Sequence, residues 1–249
     1  MARKTKFTRQ EQSRRVAAIL SALEESYPDA RCALEHRNAH ELLIATILSA
    51  QCTDERVNQV TKELFRKYPT PADFVRVPRQ VLEQDIRPTG FYRNKAKNVQ
   101  GACQMILEKF GGRVPDTMEE LILLPGVARK TANVVLGVIF GKGEGIVVDT
   151  HVFRIARRLD LSKANSPEQV ERELMALIPR PSWINFSHQM IHHGRKICKA
   201  RKPLCHLCSV EKVCQSKDKV LALPVATGSG SKRRKRTVQA ATKTNIAIS

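Results

Sequence analysis

Four cysteines near the C-terminus carry the most specific chemistry in the chain. Cys198, Cys205, Cys208 and Cys214 are separated by six, two and five residues, and four thiolates within so short a stretch can enclose one metal centre. Tetrahedral zinc and an iron-sulfur cubane both accept four thiolates. A typical zinc site pairs two close Cys-x-x-Cys elements, and here only Cys205-His-Leu-Cys208 is present. Between the first two cysteines stand Lys199, Arg201 and Lys202, so the tied loop would project three cations, which suits phosphate contact better than redox catalysis. Cys32, Cys52 and Cys103 lie in or beside helical segments and read as unliganded. His188, His192 and His193 have no partner ligands outside the cysteine set and read as packing or surface residues.

A second constellation is the run Leu124-Pro125-Gly126-Val127-Ala128-Arg129-Lys130, a tight turn between two short helices. Its unpaired amides and the positive end of the following helix can hold a phosphate without reading a base. As a pattern alone it is equally a plain helical corner. Lys130 stands two or three positions into the second helix and Asp149 just past the next turn, so an amine and a carboxylate can meet across a cleft. A nucleophilic lysine needs its neutral amine, and a neighbouring carboxylate can position it and stabilise a developing sugar cation. An exposed lysine simply paired with an aspartate is the competing reading.

Helices must position these groups. Thr8 and Glu11 form a capping box ahead of Val16, Ile19, Leu20 and Leu23 at helical spacing. Residues 41–50 are apolar on nearly every side, which predicts a central buried helix with Gln51 directly after it. Asp54 opens an amphipathic helix stopped by Pro69 and Pro71, and Val99, Cys103, Ile106 and Phe110 mark another stopped by Gly111-Gly112. Asp116, with Glu119, is expected to cap a helix turning Met118, Leu121 and Ile122 inward. A helix over 128–140 follows, then an extended Ile146-Val147-Val148, then an amphipathic helix over 151–159 capped by Asp149-Thr150.

The expected class is all-α: aromatics are only 5% of the chain, and alternating β-branched runs are scarce. Lys and Arg number 43 against 24 acids, a formal charge of +19 that points to a polyanionic partner. Residues 225–249 hold six Lys/Arg and no acid, leaving +13 on residues 1–224, so the folded part is basic in its own right. That tail reads as a Gly/Ser linker at 228–231 followed by an unbroken basic run at 232–236, a DNA tether or a targeting signal. No apolar stretch is long enough to span a membrane and no secretory h-region follows the N-terminus, so the expected location is intracellular.

Over roughly residues 15–222 the chain resembles the endonuclease III family. The strings that carry the resemblance are Leu124-Pro-Gly-Val-Ala-Arg-Lys-Thr-Ala-Asn-Val-Val135 and Val148-Asp-Thr-His-Val-Phe-Arg154, similar to that family's helix-hairpin-helix and catalytic segments. The resemblance implies a bifunctional DNA glycosylase and AP lyase of base excision repair, acting as a monomer on double-stranded DNA with oxidised pyrimidines or abasic sites. It implies Lys130 as the nucleophile at the sugar C1′, forming a Schiff base before β-elimination, and Asp149 as the catalytic carboxylate. It implies a 4Fe-4S cluster on the four cysteines, since the six-two-five spacing is similar to the family's cluster loop.

By the same resemblance Gln51 fills the gap left by a flipped base, Phe91 wedges the opposite strand, and His151 contacts phosphate beside the backbone of Leu124, Gly126, Ala128 and Arg129. Taken alone, Gln51 is a polar residue at a helix end and Phe91 a turn aromatic. The family usually has Gly where Ala128 stands; alanine at positive φ would cost about 1 kcal/mol, so a helical first-turn φ is expected there. The domains implied are residues 1–31 packing with 143–224, which hold the cluster, and a six-helix unit over 32–142, flanking a DNA-binding cleft. An adenine or mismatch glycosylase of the same fold would cleave without a lysine nucleophile; the adenine branch carries a glutamate in the buried helix, and residues 42–52 contain no acid. A non-catalytic DNA-binding module is the alternative from another class.

Overall fold

The computed structural model describes residues 7–221; the first six residues and the tail, with its linker and basic run, lie outside the described residues. All regular structure among the described residues is helical, as the sequence predicts. The first helix, α1 (Arg9–Ser26), starts at the expected capping box: the Glu11 amide donates to Thr8 Oγ1 (3.2 Å) and the Thr8 amide to Glu11 Oε2 (2.7 Å). It buries Val16, Ile19 and Leu23.

Two buried clusters divide the molecule. The first runs from Leu34 to Leu136 and is organised around α2 (Ala39–Leu48), buried at every position from His40 to Leu48. Around it lie α3 (Asp54–Lys67), α4 (Pro71–Arg76), α5 (Arg79–Asp85), α6 (Tyr92–Phe110), α7 (Met118–Leu121) and α8 (Arg129–Phe140). The second cluster joins α1 to α9 (Thr150–Arg158), α10 (Pro167–Leu177), α11 (Trp183–Lys196) and the extended Ile146 and Val148. Each fully buried Leu or Ile contributes about 1.5–3 kcal/mol, so α1 is held by partners more than a hundred residues away. The segment at 146–148 forms no ladder. Its Val147 amide donates instead to Ser187 Oγ at 3.0 Å, which fixes the approach to Asp149.

The region of α7 departs from expectation. Thr117, not Asp116, is the N-cap, accepting from the Glu120 amide, while Asp116 pairs with Lys142 at 2.5 Å. Because α7 is a single turn, Ile122 falls beyond its end and is exposed, whereas Met118 and Leu121 are buried.

His40 is an acid-sensitive point in the first core. It is 8% exposed, lies edge-on to Phe74 with centroids 5.4 Å apart, and neither ring nitrogen has a partner among the described residues. Burial pushes its pKa down from an ordinary 6.5 to about 4, with Glu41 and Asp73 opposing. The ring is therefore neutral in the fold and protonated in the unfolded chain between those values. Its stability contribution is complete above pH 6.5 and is lost as pH falls towards 4, about 3 kcal/mol in all at about 1.4 kcal/mol per unit. His40→Leu is expected to flatten this loss in urea unfolding at pH 7 and 4.5; an equal loss in parent and variant would refute the assignment.

Candidate active site and cysteine pocket

The hairpin is built from one anchored and one permissive residue. Leu124 is 2% exposed, so its side chain belongs to the first core and only its backbone reaches the turn. Gly126 has φ +79, and an added Cβ would stand 2.8 Å from the Asn98 Cβ on α6, so both conformation and space demand glycine. Ala128 has φ −91 and ψ 168. The expected helical first-turn φ is thus replaced by an extended N-cap, a conformation alanine adopts without penalty. No side chain caps α8, which leaves its first amides open to an anion. Arg129 turns away from this opening: its Nε donates to both Glu171 oxygens (3.1 and 3.2 Å) and its Nη2 to the Glu144 carbonyl (3.1 Å). It braces the hairpin against α10.

Lys130 is exposed in the first turn of α8, and its amine makes no hydrogen bond or ion pair with another described residue. Asp149 is the N-cap of α9, where Oδ1 accepts the amides of His151 and Val152, both at 2.8 Å. Oδ2 is left over. Lys130 and Asp149 line two pockets together. One, of about 1090 Å³, opens towards α10 past Asn133, Phe153 and Glu171. The other, of about 670 Å³, lies between the two cores and is walled by Thr46, Ser49, Asp54, His188, His192 and Arg195. His151 packs where α9 meets α11: an added Cβ on Gly194 would come within 2.8 Å of the His151 Cβ, and Arg154 Nη2 lies 3.3 Å from His151 Nδ1.

Gln51 and Phe91 share an unusual backbone. Both have left-handed φ, 54 and 47, without being glycine, and both are exposed, Phe91 at 65%. Such positions cost of order 1–3 kcal/mol and persist where surrounding structure fixes them. Helix α2 ends at Leu48, so Gln51 sits in a turn three residues beyond it rather than directly behind it. A residue that sequence reasoning missed ties these turns together: Lys95, 4% exposed, donates from Nζ to Leu48 O and Thr89 O, each at 2.8 Å. Burial lowers its pKa. Its place four residues before Val99 and eight before Cys103, on the buried stripe of α6, was the available signal.

Comparison with known proteins decides the relationship. Residues 44–180 match the family described as HhH-GPD superfamily base excision DNA repair protein. The chain is 55% identical over 202 residues to endonuclease III of Synechocystis sp., covering 81% of this chain and 92% of that protein. It is 45% identical over 207 residues to endonuclease III of Bacillus subtilis, covering 83% and 94%. The chain belongs to the endonuclease III family. Among solved structures, a trapped endonuclease III–DNA covalent intermediate superposes with a TM-score of 0.78 at 49% identity, covering 82% of this chain and 95% of that one. Membership makes the protein an enzyme of base excision repair, a DNA N-glycosylase with AP lyase activity.

The endonuclease III family carries an iron-sulfur cluster, which directs attention to the cysteines. All four, Cys198, Cys205, Cys208 and Cys214, are half-buried and line one pocket. Among the described residues, no three His, Cys, Asp or Glu side chains converge closely enough to hold a single metal ion. Four thiols on the wall of one pocket are a donor set that a four-iron cluster accepts. Arg158 Nη1 donates to Cys198 Sγ at 3.3 Å. His193, 1% exposed, is not the simple packing residue expected: its Nε2 lies 3.4 Å from Cys208 Sγ and its Nδ1 3.0 Å from the Tyr27 hydroxyl. Burial pushes His193 down to about 4, so the ring is neutral. Lys199, Arg201 and Lys202 are exposed on the loop, as expected.

Proposed function

We propose that Lys130 and Asp149 form the catalytic pair and that the substrate is duplex DNA carrying an oxidised pyrimidine. The observation that carries this reading is an unpaired lysine amine and a carboxylate on the wall of one pocket between the two cores. The neutral Lys130 amine attacks C1′, the N-glycosidic bond breaks, and the base leaves with the electron pair and takes up a proton. Ring opening gives a Schiff base on Lys130. Loss of a C2′ proton then expels the 3′ phosphate, and hydrolysis frees the lysine. Asp149 is the anion that offsets the cationic sugar.

The two cores support reading residues 32–142 as one helical body and residues 1–31 with 143–224 as the other, with DNA across the cleft. The open amides at the hairpin grip phosphate, with His151, Lys199, Arg201 and Lys202 as further backbone contacts; Gln51 fills the vacated stack and Phe91 wedges the opposite strand. The four cysteines would hold a 4Fe-4S cluster, which when bound cross-links the loop bearing those cations. An enzyme with this partner works inside the cell.

Borohydride reduction on a duplex with one oxidised pyrimidine tests the reading, because it freezes a Schiff base into a covalent adduct. The expected product is an adduct mapping by mass spectrometry to the peptide containing Lys130. A protein that binds the duplex, excises the base and yields no adduct would refute the lysine mechanism.

A further inference from the structure

The pocket between the cores has polar walls, and several of their groups are already engaged within the protein. Thr46 Oγ1 donates to Leu42 O (2.7 Å) and Ser49 Oγ to Thr46 O (2.8 Å). Asp54 and Arg195 pair with each other at 2.5 Å, and His192 Nε2 lies 3.3 Å from Arg31 O. His188, half-buried on α11, is different: neither of its ring nitrogens is engaged by a described residue. Burial and the neighbouring His192 lower its pKa, so the ring is neutral, with one N–H donor and one lone pair. Ser49 on the same wall stands two residues before Gln51, so a base displaced by Gln51 leaves the duplex beside this pocket. In the α10-side pocket the buried Glu171 is already tied to Arg129 and Asn133.

We propose that His188 reads the Watson–Crick edge of the flipped base and thereby sets the substrate class. The assignment rests on the catalytic reading above. A thymine-derived base presents carbonyl, N–H and carbonyl along that edge; a cytosine-derived base presents an amino group, a bare ring nitrogen and a carbonyl. A neutral imidazole answers both by exchanging tautomers, offering its lone pair to N3–H of the first or its N–H to N3 of the second. Oxidation at C5 and C6 leaves this edge intact. One residue can thus admit lesions from both pyrimidines while the damaged face is sensed elsewhere.

The test separates steps that need a base from a step that does not. His188→Ala and His188→Gln are compared with the parent in single-turnover excision from a duplex bearing thymine oxidised to its 5,6-diol, and in nicking the same duplex with a preformed abasic site. Alanine is expected to slow excision about 10–100-fold, the range for losing a hydrogen bond to a recognised group, with nicking changed less than about twofold. Glutamine, which also offers a donor and an acceptor, is expected to recover excision to within about fivefold of the parent. Unchanged excision by the alanine variant would overturn the proposal, as would an equal fall in both reactions in both variants, the mark of a structural role. A parent that fails to nick the abasic duplex would instead refute the Lys130–Asp149 reading on which this one rests.

Discussion

Lys130→Ala is expected to form no borohydride adduct and to slow excision and strand nicking at least about a thousandfold, a barrier increase of about 4 kcal/mol, while binding the duplex within about fivefold of the parent. The separation is clean because the residue is exposed and its amine touches no described group; exposed substitutions usually move stability by about 0.5 kcal/mol or less. Asp149 is the instructive contrast, since it does two things at once. Its Oδ1 caps α9 through two amides, its second oxygen is left over, and the residue lines the pocket. Asparagine keeps a capping oxygen and removes the charge. Asp149→Asn should therefore unfold at the parent's temperature and excise about 100–1000-fold more slowly, whereas Asp149→Ala should lose that activity and about 1 kcal/mol of stability as well. Single-turnover excision and thermal unfolding read the two effects separately. Parent-like excision by the asparagine variant would show that the charge of Asp149 has no part in the reaction.

What the sequence disclosed was local. The box at Thr8 and Glu11, the glycine stop after Phe110 and the cap at Asp149 each lie within one turn of the element they define, and each forms as its spacing predicts. The failures involve distant partners. Asp116 and Thr117 are equally good caps by type, and Lys142, 26 residues on, draws Asp116 away. Ala128 needed a glycine only if its φ were positive; the extended N-cap conformation removes that need. Lys95 and His193 were missed because their roles depend on carbonyls, a phenol and a thiol that converge only in the fold, Tyr27 standing 166 residues from His193. The types of Lys130 and Asp149 and their short separation were legible, but of the two pockets they share, the one between the cores is walled by α2 and α11, which lie more than a hundred residues apart in the chain.

Cys205→Ser is expected to abolish the cluster's visible absorption and to loosen residues 197–221 before the rest of the protein, seen as new protease cleavage there with most helical signal retained. Without the cluster the loop has little regular structure, two turns of three residues, Cys205–Leu207 and Glu211–Val213, and Val210 is buried in the second core, with Val213 packed partly buried against it. Other tethers are polar and lie mostly at its ends: Arg154 to Cys198 O, Arg158 to the carbonyls of Lys199 and Ala200 and to Asp218, Arg15 to Val213 O, and Lys219 to Glu211. Released, the loop no longer holds Lys199, Arg201 and Lys202 in place, so DNA affinity should fall about tenfold and its salt dependence should become shallower. Cys103→Ala, buried in the other core, should leave absorption and affinity intact. Refilling the parent after iron removal adds a sign: the cysteines bind iron as thiolates, so iron must displace protons to bind. Reconstitution with iron and sulfide is expected to improve as pH rises from 7 towards 9. A protein whose loop resists protease equally with and without iron would show that side-chain packing, and not the cluster, sets the loop's shape.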